Sequence, residues 1–416
     1  MREGGREEIP NTEKWVLIGP VYPYKGGISH YTGLMYRALS KVHETVMISY
    51  KMQYPKLLFK KEQRDYDNDT FKVENTQFLI NTANPFNIVS VARRIVKLNP
   101  ERVIIQWWHP YFAPCYVLLA GKLKRAGIPV TYICHNVFPH ERFPLDKQLT
   151  RMALKRGSRY ILHAQGEVKE LLSIRPDADY TVSVHPTYSA FNFENMDIRT
   201  AREKLGIGED EQVMLFFGFV REYKGLKHLI NAQGILKKRY LEADHADPDR
   251  TSEEKEKSCL PQLYVVGDFD GNKDEYLELI DRLGIKDNVT VIDGYVPDKE
   301  VEKYFSAANL VVLPYESATQ SGIVQIAYGF RKPVIVTNVG GLPEVVEDGI
   351  TGDIIEPFDD EALAGAIYRY FAEGRQEAYT QGIIEREYRF SWDRMVEVLS
   401  RPDGTALDSL GPGEDN

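Results

Sequence analysis

The stretch from Leu310 to Glu347, LVVLPYESATQSGIVQIAYGFRKPVIVTNVGGLPEVVE, constrains the fold more than any other part of the chain. An apolar strand, Leu310–Leu313, runs into a loop of small and polar residues, Ser317–Gly322, and then into a helical pattern. A second apolar strand, Pro333–Thr337, follows and stops at Gly340–Gly341. This is a βαβ crossover. A helix entered from a strand in this way turns unpaired backbone N–H groups and its positive dipole end toward the loop, which makes an anion site. Thr319, Gln320 and Ser321 add hydrogen-bond donors there, and Gly322 admits a ligand close to the backbone. The same pattern also serves as an ordinary polar turn, so alone it leaves phosphate binding and plain connection equally open.

Both halves of the chain alternate short apolar runs with helical patterns, the signature of parallel α/β sheets. In the first half, Trp15–Ile18, Arg102–Gln106, Val130–Cys134 and Tyr160–His163 read as strands, and Ser29–Leu39 as a helix with Ser29 as its N-cap. The second half restarts at Val213–Phe217 and continues through Leu263–Val266, Val289–Ile292, Leu310–Leu313 and Val334–Thr337. Near Thr187–Arg199 the pattern breaks. The expected organisation is a flexible N-terminus over 1–13, a first Rossmann-like domain over 14–190, a second over 191–385, a crossover helix over 386–400 and a disordered tail over 401–416. Ser391 is placed to cap that helix. Glu242–Lys257, EADHADPDRTSEEKEK, reads as a solvated insertion.

At 416 residues the chain can build about two or three domains, each with its own core. No run of about 18 apolar residues marks a membrane span, and the N-terminus lacks the apolar stretch of a secretory signal. Cys115, Cys134 and Cys259 are scattered, odd in number and without metal spacing, which points to a reducing cytoplasm. Charge is divided unevenly: residues 1–190 carry 27 Lys and Arg against 17 Asp and Glu, and residues 191–416 carry 25 against 44. A basic half and an acidic half face different surroundings. Lys56, Lys60, Lys61 and Arg64 flank the apolar Leu57–Phe59, and Lys122, Lys124 and Arg125 form a second basic cluster. Such clusters hold a protein on an anionic membrane surface, or they are scattered solvated charges and the protein works on soluble partners.

Four more loops place polar groups just past strand ends, where doubly wound sheets bind ligands. In FFGFVREYKGLKHLINA, Phe216–Ala232, Arg221 and Lys224 lie between strand and helix, where two cations can neutralise a diphosphate or simply face water. In the first loop of the chain, Gly26–Gly27 permit positive φ and close approach to a ligand. At the edge of the N-terminal sheet, WWHPYFAP supplies Trp108 and His109, and HNVFPHE supplies His135, Asn136 and His140. Aromatic faces and polar groups together suit a sugar. His163, at the edge of a strand, reads as structural.

The Leu310–Glu347 segment resembles the donor region of retaining glycosyltransferases of the GT-B fold, family 4. Pro314, Pro333, Val334 and Gly340–Gly341 fall in register with that family, and Gly218, Lys224 and Gly225 match its Gly…Lys-Gly motif. HNVFPHE is similar to a stretch of some members in which the first histidine reaches the donor sugar. The paired glutamates of the family are absent: their positions hold Ala318 and Ile326, and the glycine before the second proline is Arg331. The arginine that follows the first glycine is Phe219 here, with Arg221 as a shifted replacement. SATQSG reads as a variant loop that keeps the phosphate turn and changes the sugar contacts; Glu316 can stand in for a missing glutamate if the loop runs differently.

The resemblance implies an α/β protein of two Rossmann-like domains with a cleft between them. It implies a metal-independent, retaining hexosyltransferase that uses a UDP- or GDP-linked sugar as co-substrate and needs no further cofactor. Arg221, Lys224 and His135 would be catalytic, and Gly26, Gly27, Thr319, Gln320, Ser321 and Gly322 would hold the diphosphate. His109, Trp108, Asn136, His140 and Glu316 would touch sugar or acceptor. The acceptor would be a glycan or a polyprenyl-linked carrier in polysaccharide or glycolipid synthesis, met in the cytoplasm or on the inner membrane face; nucleic acid is not an expected partner. Other chemistry on the same fold, a phosphorylase or a nucleotide-sugar epimerase, stays open, as does a non-catalytic binding protein.

Overall fold

A computed structural model describes residues 13–56, 62–66, 69–139, 143–246, 260–269 and 271–402. Lys60, Lys61, His140, Cys259 and nearly all of the expected flexible N-terminus and tail lie outside these residues. The chain divides into two compact units: one runs to Ser183 and resumes at Trp392, and the other is Val184–Ser391. The sequence pattern places the join after residue 190; packing places it after Ser183.

Unit 1 is built on seven strands: β1 (Lys14–Ile18), β2 (Glu44–Met52), β3 (Gln77–Asn81), β4 (Arg102–Trp107), β5 (Val130–Cys134), β6 (Arg159–Leu162) and β7 (Tyr180–Val182). They form one parallel sheet in the order β3-β2-β1-β4-β5-β6-β7. Central strands such as β1 and β5 are apolar at nearly every position because helices cover both faces. One face carries α2 (Pro85–Leu98), α3 (Ala113–Arg125), α4 (Asp146–Leu154) and α5 (Gly166–Ile174), whose inner residues share a core with Val16, Ile105 and Tyr132. The other face carries α1 (Gly27–Leu39) and the helix Trp392–Ser400, which pack with Trp15, Leu17 and Ile104.

Unit 2 has six strands: β8 (Val213–Phe217), β9 (Gln262–Gly267), β10 (Val289–Asp293), β11 (Leu310–Leu313), β12 (Val334–Thr337) and β13 (Gly352–Ile355). All are parallel, in the order β10-β9-β8-β11-β12-β13. The helix Leu226–Ala246 lies against Asp360–Ala372 over a core of Met214, Phe216, Leu310 and Val312.

Three local expectations are corrected. Ser29 does not cap α1: Gly26, at φ 104, lets the chain enter the helix at Gly27, and Ser29 is buried inside it. Residues 242–246 are not part of a loop but the end of the helix Leu226–Ala246, in keeping with the helix-forming Glu and Ala there. His163 lies one residue beyond β6, where it is buried.

Candidate functional site

In unit 2 the chain leaves β8 toward β9 on one side and leaves β11 toward β12 on the other, so a crevice opens past the carboxyl ends of β8 and β11. Three loops meet there backbone on backbone. A Cβ on Gly225, which holds φ +65, would fall 1.9 Å from the Pro314 carbonyl oxygen. The Glu316 N–H donates to the Tyr223 carbonyl at 2.7 Å. On the other side, a Cβ on Gly340 would fall 1.7 Å from the Ala318 carbonyl oxygen, and the Gly341 N–H donates to that of Thr319 at 2.8 Å. The polar loop is thereby fixed between the loop after β8 and the turn after β12.

The helix Gly322–Gly329 begins at this loop. Ser321 is its N-cap: its hydroxyl accepts from the Ile323 N–H at 3.2 Å and lies 3.3 Å from the Tyr315 hydroxyl. The Ser321 side chain thus orders the helix terminus. Next to it, the Gln320 amide nitrogen is enclosed and has no hydrogen-bond partner among the described residues. A buried donor without an acceptor is costly, which makes it a place for a ligand oxygen.

Lys224 approaches the start of the same helix. Its ammonium lies 5.6 Å above the Tyr315 ring and 3.4 Å from where a Gly218 Cβ would be, a point that Ile323 Cδ1 also approaches to 3.4 Å. No carboxylate pairs with it among the described residues. Burial strips the ammonium of water and lowers its pKa, opposed by Tyr223 and assisted by the charge of Arg221. Arg221 is half-buried at the start of the turn Glu222–Lys224. Glu316 is drawn elsewhere in the same region. Its carboxylate meets Lys227 at 2.9 Å and His228 Nε2 at 3.3 Å, and His228 Nδ1 lies 2.6 Å from Asp360. This bracket ties the polar loop to the first turn of the helix Leu226–Ala246 through residues far apart in the chain.

Unit 1 repeats the crevice at β1 and β4. Gly19 follows β1, and a Cβ there would lie 2.6 Å from Gln106 Cγ. The buried Gln106 amide oxygen is 2.7 Å from His135 Nε2, an arrangement that places the proton on that nitrogen. The Tyr31 ring meets the His135 ring edge-on at 4.7 Å. Asn136 is half-buried beside it, and Gly26 and Gly27 are exposed, with no atom within 4 Å of an added Cβ. Trp108 and His109 go into local structure. Trp108 donates to the Tyr54 hydroxyl at 3.2 Å, and His109 Nδ1 accepts from the Tyr111 N–H at 3.1 Å with its ring stacked on Phe143. Burial lowers the His109 pKa, so this acceptor stays neutral. Gln106 is the residue that sequence reasoning missed; a lone polar side chain closing the run RVIIQ was the available signal.

Residues 197–383 match the family model described as Glycosyl transferases group 1. A D-inositol 3-phosphate glycosyltransferase of Geodermatophilus obscurus is 28% identical over 298 residues, which cover 71% of this chain and 61% of that protein. The chain therefore spans about three-fifths of the length of that relative. Among solved structures, Anabaena Alr3699/HepE in complex with UDP superposes with a TM-score of 0.65 at 18% identity, covering 94% of this chain and 100% of that one. Sucrose-phosphate synthase from Thermosynechococcus elongatus gives 0.63 at 17%, covering 93% and 97%. These likenesses show the fold: α/β, GT-B, with two Rossmann-like doubly wound units. No helix among the described residues is long and apolar enough to cross a membrane.

Proposed function

We propose that this chain is a glycosyltransferase that takes its sugar from a nucleoside-diphosphate sugar held at the carboxyl edge of the unit 2 sheet. The observation that carries this reading is the pairing of an ammonium that has no carboxylate, Lys224, with an enclosed amide nitrogen that has no acceptor, Gln320, beside the N-terminus of the helix Gly322–Gly329. All three favour an anion, and a diphosphate carries enough oxygens to meet them together. The match of residues 197–383 to a glycosyltransferase family and the binding of UDP by Anabaena HepE support the choice of donor.

In this reading the bond from the anomeric carbon to the β-phosphate oxygen breaks, and an acceptor oxygen bonds to that carbon on the same face. The acceptor's proton passes to the departing phosphate oxygen. Charge therefore grows on the diphosphate, where Lys224, Arg221 and the helix terminus stabilise it without a metal. A hexosyl donor linked to UDP or GDP, retention, and a glycan or polyprenyl-linked acceptor complete the proposal.

The test has two arms. Thermal shift against UDP-, GDP- and ADP-sugars identifies the donor, since a ligand at 100 times its dissociation constant adds about 2.7 kcal/mol. Turnover of the stabilising donor is then measured for Lys224→Ala. The expected loss is about a hundredfold or more, larger in kcat than in donor binding, because the charge it meets grows in the transition state. Near-wild-type turnover of Lys224→Ala would sink the assignment.

A further inference from the structure

We infer that unit 1 docks on an anionic lipid surface through the outer side of the layer formed by α2, α3 and α4. These helices adjoin one another on a single face of the sheet and share one core. Their sequences are one-sided in charge. Residues 75–166 carry 13 Lys and Arg but three Asp and Glu, which are Glu101, Glu141 and Asp146. Of those three, Asp146 is buried and Glu101 precedes β4, so no exposed carboxylate lies on α2, α3 or α4 themselves.

The cations are arranged by helix. Arg93, Arg94 and Lys97 stand on α2, Lys122, Lys124 and Arg125 on α3, and Lys147 and Arg151 on α4 with Lys155 and Arg156 just after it. Among the described residues none of the ten forms a salt bridge. The opposite face differs: on the helix Trp392–Ser400, Glu397 is bridged by Arg394 and Arg401, both at 2.7 Å. Cations near helix C-termini also complement the helix dipole, which accounts for a few of the ten but not for the missing acids.

Apolar side chains stand out among these charges. Phe86 on α2 is 88% exposed, Leu145 ahead of α4 is 64% exposed and Met152 on α4 is 55% exposed. Leu145 also holds φ 73, a left-handed conformation that leucine rarely adopts, so its display toward solvent is maintained against local strain. Charge alone would suit any polyanion; charge with protruding Phe, Leu and Met suits a bilayer, where the apolar groups sink below the headgroups. The basic run from Lys56 to Arg64 is a weaker candidate. Arg64 donates to the Tyr24 hydroxyl and the Lys51 carbonyl, at 3.2 and 2.9 Å, and is committed to the fold.

The test is co-sedimentation of the full chain with vesicles, with no donor or acceptor present, so its outcome is independent of the transferase reading. Binding is expected to phosphatidylglycerol-containing vesicles and not to pure phosphatidylcholine, and to weaken as salt rises. The triple variant Arg93→Gln, Arg94→Gln, Lys97→Gln should bind about a hundredfold more weakly, and Phe86→Ser with Met152→Ser should also weaken binding. All five positions are exposed, and unchanged thermal midpoints would confirm that the variants fold. Equal binding to neutral vesicles, no binding at low salt, or no effect of the triple variant overturns the proposal. So does a polyanion pattern, in which the triple variant weakens binding to both vesicles and heparin while the apolar pair changes neither.

Discussion

A half-buried ammonium with no carboxylate beside it costs the unliganded fold stability, and Lys224 is such a group. Burial lowers its pKa from the ordinary 10.5, so the unfolded chain holds the proton more tightly and stability falls as pH drops below that value. Lys224→Met, which keeps the length and removes the charge, should raise the neutral-pH thermal midpoint of the unliganded protein and reduce its stabilisation by a nucleoside diphosphate. A lower midpoint with nucleotide stabilisation retained would make Lys224 a structural group. Glu167 in α5 has the opposite sign. It is 1% exposed, its Oε2 accepts from the His163 N–H at 3.3 Å, and burial pushes its carboxyl up to about 8. A raised folded-state value gives stability that is fully present below 4.5 and is lost as pH climbs through about 8. Glu167→Gln should flatten that decline in thermal melts taken across the range. Parallel slopes for the two proteins would mean that the carboxyl is already ionised in the fold.

At the scale of elements, the candidate donor site depends on loops that approach backbone to backbone. Gly225→Ala places a Cβ 1.9 Å from a carbonyl oxygen and at φ +65, so the loops after β8 and β11 must part. The expected cost is about 2–4 kcal/mol, with loss of nucleotide stabilisation. Gly26→Ala, at φ 104 and ψ 163 with open space around it, should cost about 1–3 kcal/mol from its backbone conformation alone and involve no parting of loops. Equal losses at the two sites, read from denaturant melts, would contradict the close-approach account. The same loops show how far the sequence could be read. Runs such as β8 and β11 were legible because both their faces are buried, and Gly218, Lys224 and Gly225 because they sit at fixed offsets past a strand. β3, β7 and β13 were not, since each is a short edge strand with polar residues among its apolar ones. β2 escaped notice because its outer half is mixed in polarity. The pairs that orient the candidate site were hidden for a different reason. Gln106 and His135 are 29 residues apart and His228 and Asp360 are 132 apart, and a single sequence carries no signal of such pairing.

At the scale of the whole molecule, the division into units predicts what the end of the chain does. The helix Trp392–Ser400 belongs to unit 1, where Met395, Val398 and Leu399 are at most 1% exposed against Trp15, Leu17 and Ile104. Burying three such side chains contributes about 5–8 kcal/mol, comparable to the whole stability of an ordinary domain. The Arg401 carbonyl also accepts from the buried Arg159 guanidinium at 2.8 Å, so its removal leaves a buried charge short of a partner. Unit 2, Val184–Ser391, keeps its own sheet, its own core and Arg221, Lys224 and Gln320 without that helix. Truncation after Ser391 should therefore remove the cooperative unfolding of unit 1 and leave one transition from unit 2. That transition should still move up when the donor nucleotide is added. Calorimetry of the full and truncated chains, with and without UDP or GDP, makes the comparison. A truncated chain that keeps two transitions would show that unit 1 stands without its returning helix. One whose remaining transition ignores the nucleotide that stabilises the full chain would show that unit 2 does not hold the donor alone.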